Sequence, residues 1–194
     1  NKNYSLLIVK YLISLNKIDL GSKDINGQTA LFYACNDGNL ELVRLLSKSY
    51  KFDYDDQDIK GKTILHYACS TDNFDLVQYI ISLGAITTIK DNKKSTILHC
   101  ACRKGNFDVV HYLVNCGEFN INEKDIRGNT PYFYAYRSEK ENLIKYLEYL
   151  PDIDLTITGN DYSSDGDFYF NEEEAEFNDE EEDEYNDEEE DKFN

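Results

Sequence analysis

The stretch Asp58-Ile-Lys-Gly-Lys-Thr-Ile-Leu-His-Tyr-Ala68 has three counterparts in the same 194-residue chain, beginning at Asp24, Asp91 and Asp125. The threonines Thr29, Thr63, Thr96 and Thr130 fall 34, 33 and 34 residues apart, each with an Asp five residues before it and an Ala five after. A Gly stands two before the Thr in three of the four units, as Gly27, Gly61 and Gly128, and Lys94 takes that place in the other. Downstream the same register carries Leu31, Leu65 and Leu98, then Val43, Val77, Val110 and Ile144, then Leu46, Ile80, Leu113 and Leu147. Self-similarity at a fixed period marks a solenoid whose units bury their apolar faces against their neighbours.

One unit can be read from its residues alone. Asp-x-x-Gly-x-Thr combines turn formers, with Gly where the backbone can take positive φ and Thr where a side-chain oxygen can cap a helix. A short first helix is expected from about Ala30 to Asn36. Gly38 and Gly105 suit the break before a second helix, whose apolar spacing shows in Leu40-Glu-Leu-Val-Arg-Leu-Leu46. Asp72 and Glu139 occupy the same place in the second and fourth units, where less ideal turns are expected, the fourth most of all.

These residues resemble the ankyrin-repeat family, whose signature is Thr-Pro-Leu-His-x-Ala. Here it reads Thr29-Ala-Leu-Phe-Tyr-Ala34, Thr63-Ile-Leu-His-Tyr-Ala68, Thr96-Ile-Leu-His-Cys-Ala101 and Thr130-Pro-Tyr-Phe-Tyr-Ala135. Only the fourth unit keeps the Pro, and only the middle two keep the His. The resemblance implies an all-α solenoid of helix–turn–helix units with connecting hairpin loops. It divides the chain into the second half of a truncated repeat (1–23), repeats at 24–57, 58–90, 91–124 and 125–158, and a tail over 159–194. It also implies that His66 and His99 are structural imidazoles, bonded to the repeat's own turn and linking successive units.

Residues 5–19 align with a second helix, Val9 standing 34 before Val43, and no first helix precedes them. The expectation is a fragment of a longer array or an incomplete gene model, with apolar side chains exposed on the N-terminal face. At the other end the register fails after about Thr158, and the charge changes with it. Residues 1–150 carry 19 Lys+Arg and 18 Asp+Glu, net 19 − 18 = +1, whereas 151–194 carry one Lys and 20 acids, net 1 − 20 = −19. Acidic runs 179–184 and 187–191 with almost no aliphatic residues predict a disordered acidic tail. Aromatic residues from Tyr162 to Phe193 are spaced through the acid, a pattern that suits a binding segment as well as a solubilising one. Ser164-Asp-Gly-Asp167 fits an acid-directed kinase, though the pattern is short.

Chemistry finds little purchase. Cys35, Cys69 and Cys102 share one repeat position, where a small apolar side chain between helices is expected to be buried. Five cysteines without regular pairing argue for a reducing compartment, hence a cytoplasmic or nuclear location. Cys100, Cys102 and Cys116 with His99 and His111 lack zinc-site spacing, so no metal and no cofactor are expected. No nucleophile motif and no phosphate-binding loop occurs, and the chain is read as non-enzymatic. Leu6-Leu-Ile-Val9 is interrupted by Lys10 and falls short of the roughly 18 apolar residues of a membrane span.

Function is therefore sought on a surface. The resemblance implies a concave face built from the turn before each motif Thr and the exposed side of each first helix. That face is strongly basic, with eleven cations against the single acid Asp37. Lys23, Lys90 and Lys124 precede the motif Asp, a scaffold preference in the family. Eight remain as candidate partner-binding residues: Lys60, Lys62, Lys93, Lys94, Arg103, Lys104, Arg127 and Arg137. The expected function is a protein–protein interaction module, scaffold or adaptor, whose partner presents an acidic surface or segment, with the chain's own acidic tail as a candidate gate. Two other readings stand beside it: association of the tail with chromatin or other basic proteins, and service as the targeting arm of a larger enzyme. Direct nucleic-acid binding is disfavoured, because −19 of tethered charge competes with phosphates and no stacking platform is expected among the basic residues. Partner identity, pathway and oligomeric state are not legible.

Overall fold

The hydrophobic register is realised as paired helices. The structure is a computed structural model and describes residues 2–15, 18–116 and 119–157, with side chains from Leu6 onward. The tail expected to be disordered, 159–194, lies outside the described residues. Among the described residues there are nine helices and no strand. They are α1 (Lys2–Ser14), α2 (Ala30–Asn36), α3 (Leu40–Ser49), α4 (Ile64–Ala68), α5 (Phe74–Ser82), α6 (Ile97–Lys104), α7 (Phe107–Asn115), α8 (Pro131–Arg137) and α9 (Glu141–Glu148).

Each short first helix packs on the next, α2 on α4, α4 on α6 and α6 on α8, and each also packs on the second helix that follows it. α1 packs on α3, which places it in the row of second helices, as its alignment with Val43 predicts. The repeated positions are the core. Leu31, Leu65, Leu98, Val43, Val77, Val110, Leu46, Ile80, Leu113 and Leu147 are all buried, and Cys35, Cys69 and Cys102 lie among them. Complete burial of such a side chain is worth about 1.5–3 kcal/mol, and each of α2, α4 and α6 is covered both by its own second helix and by the first helix of the next unit. The exposed apolar face is also present: Leu7 is 60% exposed, Ile8 58% and Tyr11 64%.

The second helices are capped alike in three units. Asn39, Asn73 and Asn106 accept from the backbone N–H of Leu42, Leu76 and Val109. The inter-helix turns, by contrast, separate as expected in only one of two places. Gly38 and Gly105 have φ of 64° and 77°, and Glu139 is forced into the same left-handed region at 56°. Asp72 is not. In its unit α4 ends early at Ala68, and Thr71 closes the turn by donating its hydroxyl to the Ala68 carbonyl. The helix is shortened there rather than the backbone strained.

Lys94 and Asp152 are also left-handed, φ 59° and 62°, Lys94 in the place where Gly27, Gly61 and Gly128 take 74°, 72° and 82°. A side chain in that region costs of order 1 kcal/mol. Lys94→Gly and Glu139→Gly should each raise the free energy of urea unfolding by up to ~1 kcal/mol without changing its denaturant slope. Gly61→Ala should lower it by more than ~2 kcal/mol, because its Cβ would run into the Asn92 amide and backbone as well as needing positive φ.

Candidate binding surface

Every hairpin is folded around its motif aspartate. Asp58 Oδ1 accepts from the backbone N–H of Lys60 and Lys62, at 2.9 and 2.8 Å. Asp91 does the same for Lys93 and Ser95, Asp125 for Arg127 and Asn129, and Asp24 for Asn26 and Gln28. The second carboxylate oxygen accepts from a tyrosine hydroxyl in three units, Tyr33 to Asp24, Tyr67 to Asp58 and Tyr134 to Asp125. Burial and the bond to Asp125 push Tyr134 up to about 12, while the Tyr33 hydroxyl holds Asp24 below the usual carboxylate range. The third unit has Cys100 in place of the tyrosine, a thiol pushed up by burial.

Adjacent hairpins are then tied backbone to backbone. Ile59 N–H donates to the Asn26 carbonyl at 3.0 Å, Asn92 to Lys60 at 3.0 Å and Ile126 to Lys93 at 2.8 Å. Beneath them the imidazoles of His66 and His99 make the predicted link. Nδ1 accepts from the backbone N–H of Thr63 or Thr96 at 3.1 Å, which leaves Nε2–H to donate to the carbonyl of Ser95 (3.3 Å) or Asn129 (3.2 Å) in the next unit.

The three lysines set aside as scaffold are engaged by carboxylates further along the chain. Lys23 lies 2.8 Å from Asp56, Lys90 2.8 Å from Glu123 and Lys124 3.7 Å from Asp154. The sequence signal for the first two was an acid 33 residues downstream, which the reading of one unit at a time overlooked. Of the eight candidates, Lys60, Lys93 and Arg127 occupy equivalent hairpin tips and are exposed, with Lys94 exposed beside Lys93. Lys104 is exposed but already paired, 3.2 Å from Asp72, and so is a weaker candidate. Lys62 lies 5.6 Å from the ring centroid of Tyr67, Arg103 6.0 Å from that of Tyr134, and Arg137 5.9 Å from that of Phe133. The expectation that no aromatic platform interleaves with the basic residues is therefore wrong. Those rings come from the motif itself, which reading for cations alone missed. The Tyr67 and Tyr134 hydroxyls are held by aspartates and each ring already carries a cation, so they stiffen the basic side chains.

A family model of ankyrin repeats in three copies matches residues 1–91 and 72–158. The chain belongs to the ankyrin-repeat family. Ankyrin repeats are protein-interaction modules and typically non-catalytic. None of the curated proteins matches the chain. Among the described residues no group of three His, Cys, Asp or Glu is placed to hold a metal, and no helix is long and apolar enough to cross a membrane.

The ankyrin imidazoles carry a pH dependence. Burial lowers the pKa of both His66 and His99, and a charged ring would turn the Nδ1 acceptor into a donor facing an N–H. The unfolded chain, with histidines near 6.5, binds more protons than the folded one below that pH, so their contribution is complete above it and is lost as pH falls. The melting temperature should decline as the pH is lowered through the range below about 6.5. That part of the decline should shrink in His66→Asn or His99→Asn, measured by circular dichroism.

Proposed function

We propose that this ankyrin-repeat chain is a non-enzymatic scaffold or adaptor that binds an acidic surface or segment of another protein. Binding is through the basic face formed by Lys60, Lys62, Lys93, Lys94, Arg103, Arg127 and Arg137, with Lys104 at its edge. The observation that carries this reading is the equivalent placement of Lys60, Lys93 and Arg127 on hairpins bonded to one another, while Asp58, Asp91 and Asp125 have their carboxylates occupied by the turns. Cations in fixed register attract and orient an acidic partner, and here Lys60, Lys93 and Arg127 are exposed whereas Asp58, Asp91 and Asp125 of the turns are buried.

The acidic tail supplies a competitor. Its 36 residues beyond Thr158 reach ~35 Å as a coil, and a tether of that kind gives an effective concentration in the millimolar range. The tail 159–194 carries one Lys and 18 acids, net 1 − 18 = −17, which also favours, as a second reading, association with basic proteins such as those of chromatin.

Reversal of Lys93, Lys94 and Arg103 to Glu should weaken binding of an Asp/Glu-rich peptide by about 100-fold at low salt, at about 1 kcal/mol per charge. The effect should fade as salt is raised, and unchanged fluorescence anisotropy titrations would sink the proposal. Ending the chain at Thr158 should tighten binding of the same peptide at low salt. If only a basic probe binds, and only when the tail is present, the second reading replaces the first.

A further inference from the structure

The residue at each hairpin tip, a cation in three of the four units, is preceded by an exposed residue, and in three units that residue is an isoleucine. The pairs are Ile25-Asn26, Ile59-Lys60, Asn92-Lys93 and Ile126-Arg127. Ile25 is 93% exposed, and Ile59 and Ile126 are each 62% exposed. The bonds that link the hairpins use backbone atoms of these same residues, so any side chain could stand there. Asn92 differs because its amide Nδ2 donates to the Ile59 carbonyl at 2.9 Å, adding a second tie at the tip that lacks isoleucine. That tip carries two exposed cations, Lys93 and Lys94, the latter held in a strained conformation. The ridge thus reads apolar–basic, basic–basic, apolar–basic across three successive hairpins.

We infer that this ridge reads an extended segment of a partner protein in which an acidic residue recurs at every third position, with a bulky apolar residue beside the first and last acids but not the middle one. This rests on the proposal that the basic face takes an acidic partner, and adds what the partner must look like. Stacked helix layers repeat at ~8–10 Å, and the hairpins repeat with them. An extended segment in the polyproline II conformation rises 3.1 Å per residue with three residues per turn, so every third side chain faces the same side and three residues span about 9 Å, one unit. In that conformation spacings of two or four miss by about 3 Å per unit and also turn the acids away from the ridge. Ile59 and Ile126 lose their water only when apolar groups cover them, which makes the segment's apolar positions as selective as its acids. The segment belongs to another chain: within 159–194 the acids that recur three apart, at 173/176/179, 176/179/182, 181/184/187 and 184/187/190, never have a bulky apolar residue beside both the first and the last.

The test uses the full chain and two fluorescein-labelled peptides of equal composition, Ile-Glu-Ser-Ser-Glu-Ser-Ile-Glu and Ile-Glu-Ser-Glu-Ser-Glu-Ser-Ile, titrated by anisotropy at low salt. The first should bind about tenfold tighter than the second. Ile59→Ser with Ile126→Ser should remove about that advantage while leaving the helical circular dichroism and the weaker peptide's affinity unchanged. Equal affinities overturn the inference. If charge reversal at Lys93, Lys94 and Arg103 still abolishes both, the acidic-partner proposal survives it. Failure of both peptides to bind the full chain overturns the inference as well, and if the chain ending at Thr158 then binds them equally, the tail is the occupant of the ridge and charge alone governs it.

Discussion

The array depends on one small arrangement, an aspartate oxygen that accepts two backbone N–H groups from the residues two and four positions ahead. It closes the turn, so the threonine that follows can begin a helix and the first donor residue, Lys60, Lys93 or Arg127, is held at a fixed tip. A turn held this way needs no help from distant parts of the chain. Once it is set four times, the tips stand close enough for the N–H of one to reach the carbonyl of the one before. Local chemistry and long-range order therefore share the same few atoms. Loss of one such aspartate would leave two donors unpaired and uncouple a hairpin from both its neighbours, a larger effect than one hydrogen bond suggests.

What could be read from the residues follows from this economy. Aspartate, glycine, threonine and the apolar positions recur because each performs the same physical task in every unit, so Ala30–Asn36 could be placed as a helix, and α1 as a second helix, from spacing alone. Tasks solved once are less visible. The turn at Asp72 was expected to be compromised, though less than that at Glu139, yet α4 stops early at Ala68 and of the two only Glu139 is left-handed. The residues before the two positions do not tell the turns apart, because Thr71 and Ser138 donate alike to the carbonyls of Ala68 and Ala135.

The candidate surface was legible in its cations and illegible in their surroundings. Lysines before the motif aspartate were suspected of serving the scaffold, and their partners Asp56, Glu123 and Asp154 supply the physical reason. Lys104 looked equivalent to Arg103, its neighbour in the chain, but one step along a helix turns the side chain by roughly 100°, and it meets Asp72 instead of an aromatic ring. Charge counted along a sequence treats such neighbours alike. Only the helix phase, combined with the carboxylates one unit back, separates them.

The units are not joined by identical means, and the difference has a consequence for how the array comes apart. Where the middle two units use an imidazole, the first has Phe32, which is buried and meets Tyr67 edge-on at 6.0 Å, assisted by Gln28 donating to Asp58 and Tyr67. Apolar contact weakens on cooling, whereas the imidazole links respond to protons. The joints of one short array thus answer differently to acid: it loosens the two that carry an imidazole and finds no ring to charge at the first.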